Sequence, residues 1–330
     1  MREDLAIITC HYNWCGYKRP DQNLNRFLRQ MAAANIPVYG AEASLTGEFV
    51  TKGNANWVQI YAREENLCFQ KEALLNIAEA IVPKKYTKIA WLDHDILFTN
   101  QNWYEETSIA LDTLNLVQVF EECHWTDSRG EVERSAKAIL SVPCLTEEDI
   151  GTPFWAYAPP YHCGFGFAAP RTLWSRGVKL YPFNVLGGGD TVHIYAICNS
   201  EPTKQSLTVA YQNPDKPIDE LFTYYIDWKK DFYNFVDNKY GFVKGSIYHE
   251  FHGSKTNRKH GVRDRLLVLY RYNIKAAVLN PKGLIEVKSP TMGLMDSIKQ
   301  YFIERREDDT DIPTIKGIDV NPAPAPIQIV

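Results

Sequence analysis

Trp91-Leu92-Asp93-His94-Asp95-Ile96-Leu97-Phe98 is the stretch on which the reading of this chain turns. The run leading into it, Ile89-Ala90-Trp91-Leu92, is continuously apolar, as expected of a strand buried on both faces. It stops at two carboxylates spaced i, i+2, and apolar residues then resume. Two acids at the tip of an interior strand repel each other and lose hydration. A cation must offset them, and a hard divalent ion bound through carboxylate oxygens does so. Asp93 and Asp95 are therefore candidate metal ligands. If the strand continued through them, its alternation would turn both to one side. The bland alternative, a solvated turn, is disfavoured by the apolar residues on either side.

Upstream, Leu5-Ala6-Ile7-Ile8-Thr9-Cys10 reads as a first buried strand opening into a polar, aromatic loop, His11-Tyr12-Asn13-Trp14 and onward to Pro20. The apolar spacing predicts a helix over 21–35, a strand over 37–41, a third strand at 57–60 and a strong helix over 66–82 that Pro83 stops. Strand and helix alternate over short connections, which predicts a mostly parallel α/β sheet flanked by helices. Ligands in such sheets bind beyond the carboxyl ends of the strands, so the loop after Cys10 and the pair Asp93/Asp95 can face one pocket.

Downstream, 103–114 reads as a helix and 116–120 as a strand. Residues 121–160 are polar and aromatic with weak periodicity and read as loops over an acceptor side. Residues 164–169 form a small-residue strand, 191–199 a helix, 244–251 a strand, 262–273 an amphipathic segment and 293–306 a charged helix. The division expected is a catalytic domain over 1–265, a helical extension over 266–307 packed on it, and a disordered Pro/Ala-rich tail over 308–330. No internal repeat is visible.

At 330 residues and a net charge of −4 the chain has no global basic field to draw it to nucleic acid or to an anionic membrane. Aromatics make up 13 % of it, including 19 Tyr and 8 Trp, which suits stacking on sugars or bases as well as an ordinary core. The seven cysteines are odd in number and lack CxxC pairing, which points to a reducing compartment. With no signal peptide and no apolar span of membrane length, the expectation is a soluble cytoplasmic protein without membrane contact.

Two further constellations carry chemistry. In Tyr248-His249-Glu250-Phe251-His252-Gly253-Ser254-Lys255, two histidines at i, i+3 leave a strand, and neutral imidazoles there could complete a metal shell. Lys255, Arg258 and Arg263 follow and could bind a diphosphate, the arginines in bidentate fashion; a basic surface loop is the plain alternative. In Gly187-Gly188-Gly189-Asp190, glycines such as Gly188 and Gly189 let the backbone approach a ligand closely. Asp190 could be an N-cap, a general base, or both.

This order of motifs resembles that of metal-dependent glycosyltransferases of the GT-A fold. It is most similar to the branch containing the animal β-1,4-galactosyltransferases, whose pattern is Asp-Val-Asp, then Trp-Gly-Gly-Glu-Asp, then Met-x-x-His. Here those places read Asp93-His94-Asp95, Leu186-Gly187-Gly188-Gly189-Asp190 and His249-Glu250-Phe251-His252. The resemblance covers roughly residues 5–265. It implies that Asp95 and His252 are metal ligands, with His249 replacing the family's Met as a third. It also implies that Asp93 holds the nucleotide or its ribose, that His11, Tyr12 and Asn13 touch the uridine, and that Asp190 deprotonates the acceptor hydroxyl with inversion at the anomeric carbon. The cofactors implied are Mn2+ or Mg2+ and a UDP-sugar donor. Leu186 and Gly189 depart from the family's aromatic and acid, so acceptor identity does not transfer. The combination is also similar to bacteriophage-encoded transferases, for which a glycan, a protein or a modified nucleic acid base could be acceptor. Two rival readings use the same residues: a metal-dependent phosphohydrolase or nucleotidyltransferase, and a non-catalytic carbohydrate-binding protein.

Overall fold

A computed structural model describes residues 2–146, 161–199, 218–259, 263, 265–270, 272, 276–288 and 293–308. The chain opens as β1 (Leu5–Tyr12), α1 (Lys18–Ala33), β2 (Val38–Ser44), β3 (Trp57–Tyr61), α2 (Lys71–Ala80) and β4 (Lys88–Leu92). After β5 (Ile96–Phe98), α3 (Trp103–Ala110), β6 (Leu116–Gln118), β7 (Glu122–Thr126) and β8 (Val132–Ala138) come β9 (Tyr161–His162), β10 (Gly166–Pro170), α4 (Thr172–Ser175) and α5 (Gly189–Ile197). The remainder is α6 (Ile218–Val236), β11 (Tyr240–Phe242), β12 (Ser246–His249), α7 (Lys255–Arg258), α8 (Arg265–Leu269), β13 (Ala277–Leu279), β14 (Ile285–Val287) and α9 (Leu294–Glu304).

Seven strands form the central sheet in the order β11-β6-β10-β4-β1-β2-β3. All its pairs are parallel except those of β10, which runs antiparallel to both β4 and β6. The alternation of β1 explains why helices cover both faces. Leu5 and Ile7 join one core with Phe27 and Met31 of α1 and Trp103 of α3. Ala6 and Ile8 join the other with Leu74, Leu75 and Ala78 of α2. Leu294, Ile298, Phe302 and Ile303 of α9 are buried in that second core, so the C-terminal helix shares the interior of the central sheet. At about 1.5–3 kcal/mol for each fully buried large aliphatic side chain, this docking is strong enough to hold the last turn of α9 in place.

Two expectations are corrected. The helix predicted over 66–82 begins only at Lys71, because Gln70 turns its amide onto the carbonyls of Asn66 and Ile285 (2.8 and 2.9 Å) and a 3₁₀ turn occupies Glu64–Asn66. Residues 121–146 are not loops. β7 and β8 form a hairpin in a second sheet of order β5-β12-β7-β8-β9, closed by Asp127, whose Oδ1 accepts from the amides of Arg129 and Glu131. The rest of that stretch, 147–160, and the tail beyond Asp308 lie outside the described residues. Among the described residues no helix is long and apolar enough to cross a membrane.

Candidate active site

β4 ends at Leu92, so Asp93-His94-Asp95 is a turn between strands and the same-face argument lapses. The Asp93 amide donates to the carbonyl of Phe165 (2.8 Å), and the Asp95 carbonyl accepts from the Glu250 amide (2.7 Å). β5 then pairs antiparallel with β12, placing Ile96 opposite His249. This short pairing brings two distant motifs together. Asp95 Oδ2 lies 2.9 Å from His252 Nε2 and 3.6 Å from His249 Nε2, and the two Nε2 atoms are 3.2 Å apart.

Asp95, His249 and His252 present one ligand atom each within 4.8 Å of one another. Asp95 Oδ1 is buried with no hydrogen-bond partner among the described residues. Burial pushes the His249 imidazole down to about 3, so it is neutral and able to ligate. Two imidazoles, a carboxylate and an orphaned oxygen are a donor set that fits a divalent cation of intermediate hardness. The other ring nitrogen of His252 faces Glu307 Oε1 (3.5 Å), the carboxylate–histidine arrangement that orients metal-binding imidazoles. Glu307 is in turn bound by Arg305 Nε (2.7 Å). Although burial opposes it, Arg305 and His252 hold the Glu307 carboxyl well below the usual range.

Asp93 does not join this trio. Its Oδ1 is 2.7 Å from Lys71 Nζ, and the same ammonium reaches both Asp190 oxygens at 3.0 Å. Lys71 thus bridges the acid at the tip of β4 to the acid in the first turn of α5. Gly188 rather than Asp190 is the N-cap of that helix, in the left-handed region at φ 87°, where glycine is strain-free. Gly189 is required for a different reason: a Cβ there would collide with the carboxylate of Glu72. Sequence reading missed Lys71, although a lysine in the first turn of a helix, against the macrodipole, is itself a signal of a specific anionic partner.

Burial raises the Glu72 carboxyl to about 8, so in the fold it holds its proton at neutral pH. A carboxyl whose folded pKa lies above its unfolded value of 4.5 stabilises the fold fully below that value, and the contribution is lost as pH rises through about 8. Melting temperature is therefore expected to fall between pH 6 and pH 9, and to fall less in Glu72→Gln. Parallel melting curves of the two proteins check this, and identical pH slopes would refute it.

A pocket with about 790 Å³ of open space lies at this end of the sheet, lined among others by Tyr12, Lys71, Asp93, Asp95, His252 and Arg305. Above it the Tyr301 hydroxyl accepts from Arg263 Nη1 (3.2 Å) and Arg305 Nη1 (3.1 Å) and donates to the Arg258 carbonyl (3.1 Å). Burial resists, yet Arg263 and Arg305 hold this phenol below its ordinary pKa. Burial and Arg305 press against the charge on Arg258, whose Nε is buried without a hydrogen-bond partner. Three guanidinium groups gathered in this way suit an anion. The Lys255 side chain lies outside the described residues. Arg305 and Glu307 were also missed, because Glu304-Arg305-Arg306-Glu307 has the composition of an ordinary solvated helix end.

At the end of β1, His11 is buried and its Nε2 lies 3.0 Å from Asp21, while its Nδ1 lies 3.2 Å from His94 Nε2. Asn13 donates to Asp21 (2.8 Å) and to the Tyr17 carbonyl (2.6 Å). Tyr12 stacks obliquely near Trp14, with ring centres 5.5 Å apart. His11 and Asn13 also line a second pocket, whose walls among the described residues include Glu42, Ser44 and Thr46 and no lysine or arginine.

Fold and site together define a mixed α/β protein, its largely parallel sheet flanked by helices, with a candidate cation site beside a pocket lined by charges of both signs. No family profile matches the sequence, and no curated protein matches it. Among solved structures, a mutant of the Drosophila β-1,4-galactosyltransferase 7 in complex with manganese, UDP-Gal and xylobiose is similar at 13 % identity and a TM-score of 0.35, over 61 % of this chain and 66 % of that one. The 4-diphosphocytidyl-2C-methyl-D-erythritol synthase of Anaerococcus prevotii is similar at 11 % identity and a TM-score of 0.32, over 73 % of this chain and 87 % of that one. The galactosyltransferase LgtC, in complex with donor and acceptor sugar analogues, is similar at 10 % identity and a TM-score of 0.29, over 91 % and 95 %. The chain spans less than two thirds of the galactosyltransferase 7 structures it matches. Likenesses at this level assign no activity, and the case for function rests on the side chains.

Proposed function

We propose that this protein is a GT-A glycosyltransferase that moves a hexose from a UDP-sugar to an acceptor hydroxyl, with manganese or magnesium and with inversion. The observation that carries the reading is the trio Asp95, His249 and His252, with the unpartnered Asp95 Oδ1, opening on a pocket that also holds Asp93, Lys71 and Arg305. These residues would hold the cation, which would neutralise charge developing on the departing diphosphate.

The chain's own groups supply the rest. Arg305, backed by Arg258 and Arg263, binds the diphosphate. The pocket beside His11 and Asn13 has no lysine or arginine among the described residues and has hydroxyl and carboxylate walls, which suits an uncharged nucleoside. Asp190 removes the proton of the acceptor hydroxyl as its oxygen bonds to the anomeric carbon. The bond from that carbon to the diphosphate oxygen breaks, and the electron pair leaves with UDP. Lys71, shared between Asp93 and Asp190, ties the position of the base to the donor side. The acceptor is a glycan, a protein or a modified nucleic acid base, and the setting is the cytoplasm.

Product identity tests the reading. Incubated with UDP-hexoses and Mn2+, the protein is expected to release UDP and free hexose slowly in the absence of acceptor. UMP or inorganic phosphate as product would favour a phosphohydrolase or nucleotidyltransferase instead. A donor present at about 100 times its Kd should also stabilise the fold by about 2.7 kcal/mol, and only with metal present. Stabilisation that persists in excess chelator would speak for plain carbohydrate binding.

A further inference from the structure

Gly164 lies between β9 and β10, and its backbone conformation is one that any residue adopts. A Cβ built on it would stand 3.0 Å from Asp190 Oδ2 and 3.0 Å from His162 Nε2. Asp190 Oδ2 and His162 Nε2 therefore lie no more than about 6 Å apart beside Gly164, where even a Cβ would be tightly placed. Both side chains are only partly buried, while Gly164 itself is buried.

The stretch is held firmly. Gln118, fully buried, donates from Nε2 to the carbonyls of His162 (3.0 Å) and Gly164 (3.3 Å) and accepts the Leu140 amide on Oε1 (3.2 Å). The His162 ring is fixed edge-on against Trp125 at 4.8 Å and beside Phe165 at 4.2 Å. Phe165 has φ 77°, a strained conformation for a bulky residue, of the kind that persists where the surroundings demand it. That strain is matched by three contacts: the Phe165 carbonyl takes the Asp93 amide, and its ring lies beside both His162 and His249. Burial keeps the His162 imidazole neutral, so Nε2 can offer an N–H to an uncharged oxygen.

Resting on the reading above, we propose that His162 and Gly164 form the acceptor-hydroxyl subsite, taking an uncharged alcohol or water. Its O–H points at Asp190, and a lone pair accepts from His162 Nε2. Gly164 leaves the approach open, and His162 is a contact residue for the acceptor with no part in donor or metal binding.

Water is the probe that needs no knowledge of the natural acceptor. With Mn2+ and the UDP-hexose that the wild type hydrolyses fastest, Gly164→Ala is expected to lower kcat for hydrolysis at least about tenfold while donor KM stays within about twofold. His162→Ala should lower kcat about tenfold, and His162→Gln, which keeps an N–H donor, should recover most of it. Donor-induced thermal shifts should remain as in wild type, which separates lost positioning from lost folding. Unchanged kcat in both Gly164→Ala and His162→Ala overturns the subsite, as does a tenfold rise in donor KM. Wild-type protein that fails to hydrolyse any UDP-hexose overturns the transferase reading itself, and the subsite with it.

Discussion

Asp95→Asn is expected to weaken Mn2+ binding by at least about 100-fold, beyond the 10–100-fold that loss of an outer-shell partner costs, and to abolish metal-dependent turnover of the donor. The substitution keeps the shape of the side chain and the backbone bond from Glu250, so the turn into β5 should survive. What it removes is the charge on the carboxylate that, among the described residues, reaches both imidazoles. A titration of Mn2+ followed by electron paramagnetic resonance reads affinity without reference to activity, and a melting curve reads folding. Undiminished Mn2+ affinity in a folded Asp95→Asn protein would end the metal assignment. Glu307→Gln offers a graded control: it leaves the three ligands in place and removes the charge that faces both His252 and Arg305.

Asp190→Asn is expected to lower transfer by about 10²–10⁴-fold, the usual contribution of a general base. Donor KM and Mn2+ affinity should stay within about threefold. The structure gives a reason for expecting so clean a separation. Neutralising Asp190 does not strand a cation, because Lys71 keeps its 2.7 Å contact with Asp93. Isothermal titration with UDP and Mn2+, run beside initial-rate kinetics, distinguishes the outcomes. Should donor affinity collapse along with the rate, Asp190 belongs to the donor site and another base must be sought.

How far the sequence foretold these features depends on the range of the interactions involved. β1, β2 and β4 were legible because buried strands leave unbroken apolar runs, and their parallel order followed from the helices between them. The antiparallel insertion of β10 was not legible, since pairing partners leave no mark in local pattern. The β7–β8 hairpin did carry a signal, the Asp127-Ser128-Arg129-Gly130 turn between alternating segments, but the polar residues around it obscured the period. Within the site, the motif-bearing side chains Asp93, Asp95, Asp190, His249 and His252 could be named from type and spacing. Their division into two groups could not. It depends on β4 ending one residue before Asp93, which sends one acid to Lys71 and the other to the histidines. Lys71, Arg305, Glu307 and His162 act through contacts made by folding alone.

The segment after α9 has a consequence for when the protein can work. The Tyr17 hydroxyl donates to the carbonyl of Ile303, 286 positions away, and Asp308 receives the amides of Lys18 and Arg19 at the start of α1. Arg305 and Glu307 are therefore delivered to the site by a stretch synthesised after every strand of the central sheet. A nascent chain can assemble its N-terminal strands as they emerge, yet it lacks the guanidinium and the carboxylate that finish the cation corner. Synthesis would then act as a timer, leaving the candidate site incomplete until translation has run past residue 308.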